Sequence, residues 1–284
     1  MLLREIKNIF HTELDVIYGQ EETASFFYLL IAHYFNLERF ILVVQPDYII
    51  TKEQESLIFE ALSQLKEEKP IQYIMGTAHF MEMDLKVGPG VLIPRPETEE
   101  LVRWILSDVK TSHRPITILD MGTGSGCIPI ALAKFMKNVN LKALDISTEA
   151  LNTAKMNAKA NKVDVDFFQA DILDLDLDLD LEFDIIVSNP PYVRMQEKVE
   201  MRNNVKDHEP DIALFVEDEN PLLFYGHILN FGEHNLSQDG WIFLEINQYL
   251  GKEMIELLKN YNFKDIELRK DMFGNDRMLK ARKG

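Results

Sequence analysis

Cysteine is almost missing from this chain, with Cys127 the single example. An internal disulfide framework is thereby excluded, and a reducing cytoplasm fits. No run of about 18 apolar residues is present, so no transmembrane helix is expected. The stretch from Met1 to Lys7 carries charge and no small-residue cleavage site, unlike a secretory signal. Basic charge is scarce too: 30 Lys and Arg stand against 47 Asp and Glu, a formal net charge of −17. Proteins that grip long duplexes need clustered Lys and Arg, so no stable nucleic-acid binding is expected. The seven histidines show no metal-ligand spacing, and no metal is expected. What is present is an ordinary soluble balance, 46% hydrophobic and 27% charged, with length enough at 284 residues for two domains.

Residues 1–70 read as helical throughout. The stretch from Glu21 to Phe35 has no internal Gly or Pro and a broad apolar face. Thr51-Lys52-Glu53-Gln54 is a capping-box pattern opening a helix with Leu57, Ile58, Leu62 and Leu65 on one face, and Pro70 stops it. With six basic against twelve acidic residues, this segment suits docking a partner better than reading phosphates. Residues 71–95 change character. Phe80, Met81, Met83, Leu85 and Val87 nearly alternate, and Gly88-Pro89-Gly90 precedes Val91-Leu92-Ile93. That spacing predicts a β-hairpin turning at the Gly/Pro triplet, a connector between two domains.

From Ile116 onward strands alternate with helices, the mark of a parallel α/β sheet. The expected strands are Ile116–Met121, Leu141–Asp145, Val165–Gln169, Phe183–Ser188, Trp241–Ile246, Phe263–Leu268 and Met278–Ala281, the last two a hairpin at an antiparallel edge. The domains expected are thus 1–70, 71–95 and 96–284, the last a seven-stranded, doubly wound, Rossmann-like sheet. Asp174–Leu181 alternates Asp with Leu. It reads as a solvated acidic loop, although a period of two could also extend a strand.

Two strand ends carry chemistry. Ile118-Leu119-Asp120 runs into Gly122-Thr123-Gly124-Ser125-Gly126 and then a helix from Cys127. Glycines let a ligand approach the backbone, and the helix start behind them offers unpaired N–H groups. No Lys-Ser/Thr pair follows, which rules out a phosphate-gripping loop. Asp145 ends the next strand, where a carboxylate can accept both ribose hydroxyls. After the third strand, Asp171 and Ile172 place an acid and a following backbone N–H where an adenine edge can meet them. A plain surface acid is the alternative for Asp171, and Cys127 reads as packing. A dinucleotide would use the same turn, so the turn alone does not choose between NAD and S-adenosylmethionine.

The other strand end stops at Asn189-Pro190-Pro191-Tyr192. Ile185, Ile186 and Val187 are the short apolar run of a parallel strand covered on both faces. Asn189 offers a carboxamide. Pro190 and Pro191 remove two backbone donors in succession, leaving carbonyls with little competition. Tyr192 adds a flat wall with a polar tip. Together they can cradle a planar NH2, the Asn189 oxygen and the Pro190 carbonyl each accepting one hydrogen. A Pro-Pro turn that merely ends a strand is the bland alternative. In a 3-2-1-4-5 strand order, the two strand ends are neighbours at the switch point and face one cleft.

The tetrapeptide resembles the signature of methyltransferases that modify amino or amide nitrogens with S-adenosylmethionine, and this decides between the cofactors. The likeness extends from about residue 66 to the end. Pro70-Ile71-Gln72-Tyr73-Ile74-x-Gly76, the run from Val91 through Pro94-Arg95-Pro96-Glu97-Thr98-Glu99, Gly122–Gly126, Asn189–Tyr192, Glu209-Pro210-x-x-Ala213-Leu214 and Leu244-Glu245-Ile246 are similar to the HemK/PrmC family. Members of that family methylate the glutamine of the Gly-Gly-Gln motif in class I peptide chain release factors. Relatives acting on a ribosomal protein glutamine carry Pro-Arg-Ser-Pro at the Pro94 position, so Pro96-Glu97-Thr98 favours the release-factor branch. The resemblance implies cofactor contacts at Gly122–Gly126, Asp145, Ile172 and Asn189, and a substrate glutamine held by Asn189, Pro190, Pro191 and Tyr192. It also implies a release factor as partner.

The chain departs from the family at Met81-Glu82, where an aromatic and a glycine are usual, in the acidic run 215–221, and at Asn247, often a glycine. Three rivals remain. A nucleic-acid amino-methyltransferase shares the tetrapeptide but wants basic charge. A non-catalytic scaffold would not need Gly122–Gly126, Asp145 and Asn189 intact. An NAD-dependent oxidoreductase needs a hydride-transfer residue that is not evident.

Overall fold

The computed structural model describes residues 1–109, 114–175 and 182–284, and these fall into two compact units. Most of the acidic repeat at 174–181 therefore lies outside the described residues. One unit comprises Met1–Gly76 with Arg202–His208, the other Thr77–Met201 with Glu209–Gly284.

The first unit is helical: α1 Leu3–Tyr18, α2 Gln20–Phe35, α3 Ile41–Val44, α4 Lys52–Lys66 and α5 Ile71–Met75. Apolar positions at helical spacing (Leu3, Ile6, Phe10 and Leu14; Phe27, Leu30 and Ile31; Ile58, Leu62 and Leu65) close one core. Phe10 and Phe27 meet edge to face at 5.5 Å. The capping box at Thr51 forms: its hydroxyl accepts the Gln54 N–H at 3.2 Å, and Gln54 Oε1 accepts the Thr51 N–H at 2.9 Å. Arg202 pairs with Glu22, and Asn203 donates to Glu68.

Two expectations for residues 71–95 are corrected. Ile71–Met75 is a helical turn, not strand, begun after Pro70 and ended by Gly76 in the left-handed region at φ 71°. The hairpin is shorter than expected, pairing β1 Thr77–Phe80 with β2 Met83–Lys86. Its turn is Met81-Glu82, with φ of 47° and 60°. Two successive positive φ values are what a two-residue hairpin demands, and here they fall on residues without glycine's freedom. Gly88-Pro89-Gly90 is instead a loop beside the cavity described below.

In the second unit, α6 Pro96–Asp108 starts with proline at its first turn, where no N–H is missed. There follow β3 Ile116–Met121, α7 Cys127–Phe135, β4 Val139–Asp145, α8 Thr148–Asn161, β5 Asp166–Gln169 and β6 Phe183–Ser188. A minor pair, β7 Val193–Arg194 with β8 Phe215–Val216, precedes β9 Leu236–Glu245, β10 Lys264–Lys270 and β11 Asp276–Arg282. The seven-stranded sheet runs β10-β11-β9-β6-β3-β4-β5. Only β10 and β11 are antiparallel to their neighbours, giving the expected 3-2-1-4-5 order with a hairpin edge. Of these strands, β9 begins five residues earlier than the apolar pattern suggested, because Asp239 at φ 66° and a register shift opposite Phe183 carry the pairing back to Leu236.

Alternating side chains of the central strands serve two cores. Ile118, Ile185, Val187 and Phe243 pack under α6 and α7. Leu119, Ile186, Ile242 and Leu244 pack under the helices Leu223–Asn235 and Gly251–Asn260. Each such fully buried side chain contributes roughly 1.5–3 kcal/mol. Burial on both faces makes β3 and β6 rigid, so their carboxyl ends are fixed platforms. Met121 and Ser188 are paired in register there, and the Ser188 hydroxyl donates to the Met121 carbonyl at 2.6 Å.

Candidate active site

Beyond those two strand ends lies a cavity of about 450 Å³, lined on one side by Gly122, Gly124 and Asp145, on another by Asp171, Ile172 and Leu173, and closed by Asn189 and Pro191. Loops distant in sequence complete it: Pro89–Leu92, Pro210, Ile212, Ala213 and Phe224. Its size suits a nucleoside-bearing ligand.

The glycine turn owes its shape to positive φ at Gly122, Gly124 and Gly126, 79°, 55° and 81°. The N–H groups of Gly122 and Thr123 both donate to the Leu144 carbonyl at 2.9 Å, hanging the turn on β4. From α8, Asn157 fastens it further, donating to the Ser125 carbonyl at 2.9 Å and the Lys86 carbonyl at 3.0 Å. A side chain on Gly126 would strike Ile130 and Ala154 within 3.0 Å, so that glycine serves close helix packing. One on Gly124 would meet no protein atom within 4 Å. Of the five residues expected to hold a cofactor here, Gly122 and Gly124 line the cavity, whereas Thr123, Ser125 and Gly126 do not.

Asp145 sits at the tip of β4, its carboxylate accepting the Gly124 N–H at 2.8 Å and the Ser147 N–H at 2.9 Å. Burial raises its pKa, and these N–H groups hold the rise back. Asp171 caps a 3-10 turn, accepting the Leu173 N–H at 2.8 Å. Beneath the turn Asp120 is fully buried, and neither its carboxylate oxygens nor the Thr123 hydroxyl find a partner of normal hydrogen-bond geometry. Burial lifts the Asp120 pKa to about 7, Thr123 opposing and the charge of Asp145 assisting. Orphaned buried carboxylates are rare, and one under a cavity is a functional marker.

At the β6 tip the tetrapeptide is anchored from behind. Asn189 Nδ2 donates to Thr98 Oγ1 at 3.1 Å, and that hydroxyl donates to Glu245 Oε2 at 2.6 Å. The Tyr192 hydroxyl donates to Glu245 Oε1 at 2.8 Å. The Tyr192 carbonyl accepts from Asn247 Nδ2 at 2.9 Å, so Asn247 braces the motif. Among the described residues no donor reaches Asn189 Oδ1 or the Pro190 carbonyl, which leaves two acceptors free. Asn189 and Pro191 touch the cavity; Pro190 is buried and Tyr192 half-buried, outside its lining. The Pro94–Glu99 run is locked as well: Glu209 accepts from Arg95 Nη2 at 2.5 Å and from the Ile93 N–H at 3.1 Å. Cys127 is buried, its thiol pushed up to about 12 by burial and by the charge of Asp120, which suits packing.

Comparison with known proteins follows this geometry. The PrmC N-terminal domain family matches residues 14–76 and the methyltransferase small domain family residues 101–207. Proteins named release factor glutamine methyltransferase resemble the chain end to end. That of Flavobacterium psychrophilum is 49% identical, covering 99% of both chains, and that of Bacteroides thetaiotaomicron is 41% identical, covering 94% of this chain and 95% of its own. This chain belongs to the release factor glutamine methyltransferase family. Solved structures agree on the fold. A methyltransferase from Pyrococcus furiosus superposes with a TM-score of 0.51 at 18% identity, over 82% of this chain and 100% of that one. A Thermus thermophilus 16S rRNA methyltransferase in complex with AdoMet and guanosine gives 0.53 at 20% identity, over 73% and 50%.

Membership of a methyltransferase family implies S-adenosylmethionine, and the residues present fit it. Open space at Gly124 admits a ligand against the backbone. Asp145 and Asp171 line one end of the cavity with acid, complementary to a cofactor that carries an ammonium and a sulfonium. Sequence reasoning missed the Pro89–Leu92 and Pro210–Phe224 walls, because only tertiary folding brings them together. It also missed Thr98 and Glu245 as partners of the tetrapeptide. Only Glu245 carried a signal, as an acid inside the buried apolar run Leu244-Glu245-Ile246; Thr98 lies among acids and carried none.

Proposed function

We propose that the chain transfers a methyl group from S-adenosylmethionine to the side-chain amide nitrogen of a release factor glutamine, that of the Gly-Gly-Gln motif. The reading rests foremost on one observation: Asn189 opens onto the same cavity as Gly122, Gly124 and Asp145. In this reading Asp145 accepts the ribose hydroxyls, Gly122 and Gly124 let the cofactor lie on the backbone, and Asp171 with the Ile172 N–H meets the adenine.

When bound, the cofactor supplies an electrophilic methyl carbon on a positively charged sulfur. An amide nitrogen is a poor nucleophile, since its lone pair is delocalised into the carbonyl. Asn189 Oδ1 and the Pro190 carbonyl accept its two hydrogens and turn the lone pair toward the methyl, with the entropic cost met on binding. The same two acceptors stabilise positive charge growing on nitrogen as the N–C bond forms and the S–C electrons return to sulfur. Nitrogen then sheds one proton to water, so no strong base is required. Tyr192, tethered through its hydroxyl, holds one face of the amide. In this reading the helical segment 1–70 docks the protein substrate, its acidic surplus favouring a protein partner over phosphates.

Incubation with methyl-labelled S-adenosylmethionine and a purified release factor tests this. Label should enter the release factor, and not its Gly-Gly-Gln glutamine-to-alanine variant. Label in a ribosomal protein or nucleic acid alone would overturn the reading.

A further inference from the structure

The carboxamide of Asn189 is useful only one way round. Its oxygen must face the cleft, because an NH2 presented to a substrate NH2 repels it. Nothing in an isolated asparagine favours that orientation, since the two ends are nearly the same size.

We propose that Thr98 and Glu245 are positioning residues that fix the orientation of Asn189. This rests on the methyl-transfer reading above and adds to it the device that makes the clamp an acceptor. Glu245 is buried at the end of β9, 1% exposed, and a carboxylate there accepts only. The Thr98 hydroxyl, 2% exposed, has a single hydrogen, and at 2.6 Å from Glu245 Oε2 that hydrogen is committed to the anion. What the hydroxyl offers Asn189 is therefore a lone pair, and only the NH2 end can use it, at 3.1 Å. The oxygen end is driven outward into the cleft. The second Glu245 oxygen takes the Tyr192 hydroxyl at 2.8 Å, so one anion sets the polarity of both functional side chains of the tetrapeptide. Arg277 stands behind, its guanidinium 5.9 Å from the Tyr192 ring centroid and donating to the Ile246 carbonyl, a cation near the buried anion. Thr98 and Glu245 lie outside the cavity lining and act through Asn189 and Tyr192.

The test uses the whole protein with S-adenosylmethionine and a release factor. Thr98→Val keeps the shape and removes the hydroxyl. It should lower kcat roughly 10- to 100-fold while KM for the cofactor stays within about twofold. Thr98→Ser, which keeps the hydroxyl, should restore most of kcat. Glu245→Gln, which offers Thr98 an NH2 donor and allows the chain of hydrogen bonds to reverse, should also lower kcat with the thermal midpoint held. It keeps the proposal testable if Thr98→Val does not fold. Wild-type kcat in Thr98→Val or in Glu245→Gln overturns the proposal, as does a Thr98→Ser variant no better than Thr98→Val. An inactive wild type would sink the methyl-transfer reading, and this proposal with it. An active wild type beside undiminished variants would sink this proposal alone.

Discussion

The two ends of the sheet's parallel strands carry hollows of nearly equal size, about 450 Å³ at the carboxyl ends and about 420 Å³ at the amino ends. Their acids are treated in opposite ways. At the amino rim, Asp184 is gripped by Arg114 at 2.8 and 2.5 Å and by the Thr117 N–H at 2.9 Å. Burial opposes its ionisation, yet these partners outweigh burial and hold its pKa below the usual carboxylate range. At the carboxyl rim, Asp120 has no hydrogen-bond partner of normal geometry among the described residues, and Asp120, Asp145 and Glu245 all have pKa values pushed up by burial. Volume alone does not distinguish the hollows. The state of the acids does: those raised by burial gather where the glycine turn and the tetrapeptide meet, whereas the acid at the other rim is held ionised by its partners.

The largest expected effect is at the glycine turn. Gly124→Val puts a branched side chain at φ 55° and into the open space of the cavity. Cofactor affinity, measured by calorimetry, should fall roughly 100-fold or more. Next is Asp145→Ala, which removes a charged acceptor worth about 1.5–3 kcal/mol. Cofactor KM should rise roughly 10- to 100-fold with a smaller change in kcat. Third, Asp120 sets a pH dependence. Its ordinary pKa of 3.8 becomes about 7 on folding, so between those values the folded chain keeps a proton that the unfolded chain has shed. The stability it contributes is present at low pH and is lost as pH rises through about 7. The thermal midpoint of the cofactor-free protein should therefore fall from about pH 5 to about pH 8, and Asp120→Asn should flatten that fall. The smallest effect is at the other rim. Arg114→Ala should lower the thermal midpoint slightly at neutral pH, less so as Asp184 is protonated, and leave kcat unchanged. A clear loss of turnover in that variant would break the contrast between the rims.

Most of the sheet was legible in the sequence, because strands buried on both faces announce themselves as short apolar runs such as Ile185–Val187. So were the two tips, the glycine turn as a ligand-binding strand end and Asn-Pro-Pro-Tyr as the motif that chose between ligands the turn alone could not. The hairpin was misplaced because Met81 and Glu82 adopt positive φ without looking like turn residues, while Pro89 and Gly90 of the conspicuous Gly/Pro triplet went to the cavity wall. The bond from Thr98 to Glu245 spans 147 positions, and no local pattern encodes a partner that distant. For the same reason Glu209 could be seen as part of a motif, but not as the clamp on Ile93 and Arg95.

The account depends most on Asn189 acting on the methyl acceptor and not on the cofactor. Turnover and S-adenosylmethionine affinity measured together on Asn189→Ala separate the two. We expect kcat to fall roughly 100- to 1,000-fold with cofactor affinity within about threefold of wild type. Full turnover on a release factor, or a loss of cofactor binding as large as the loss of rate, would contradict it.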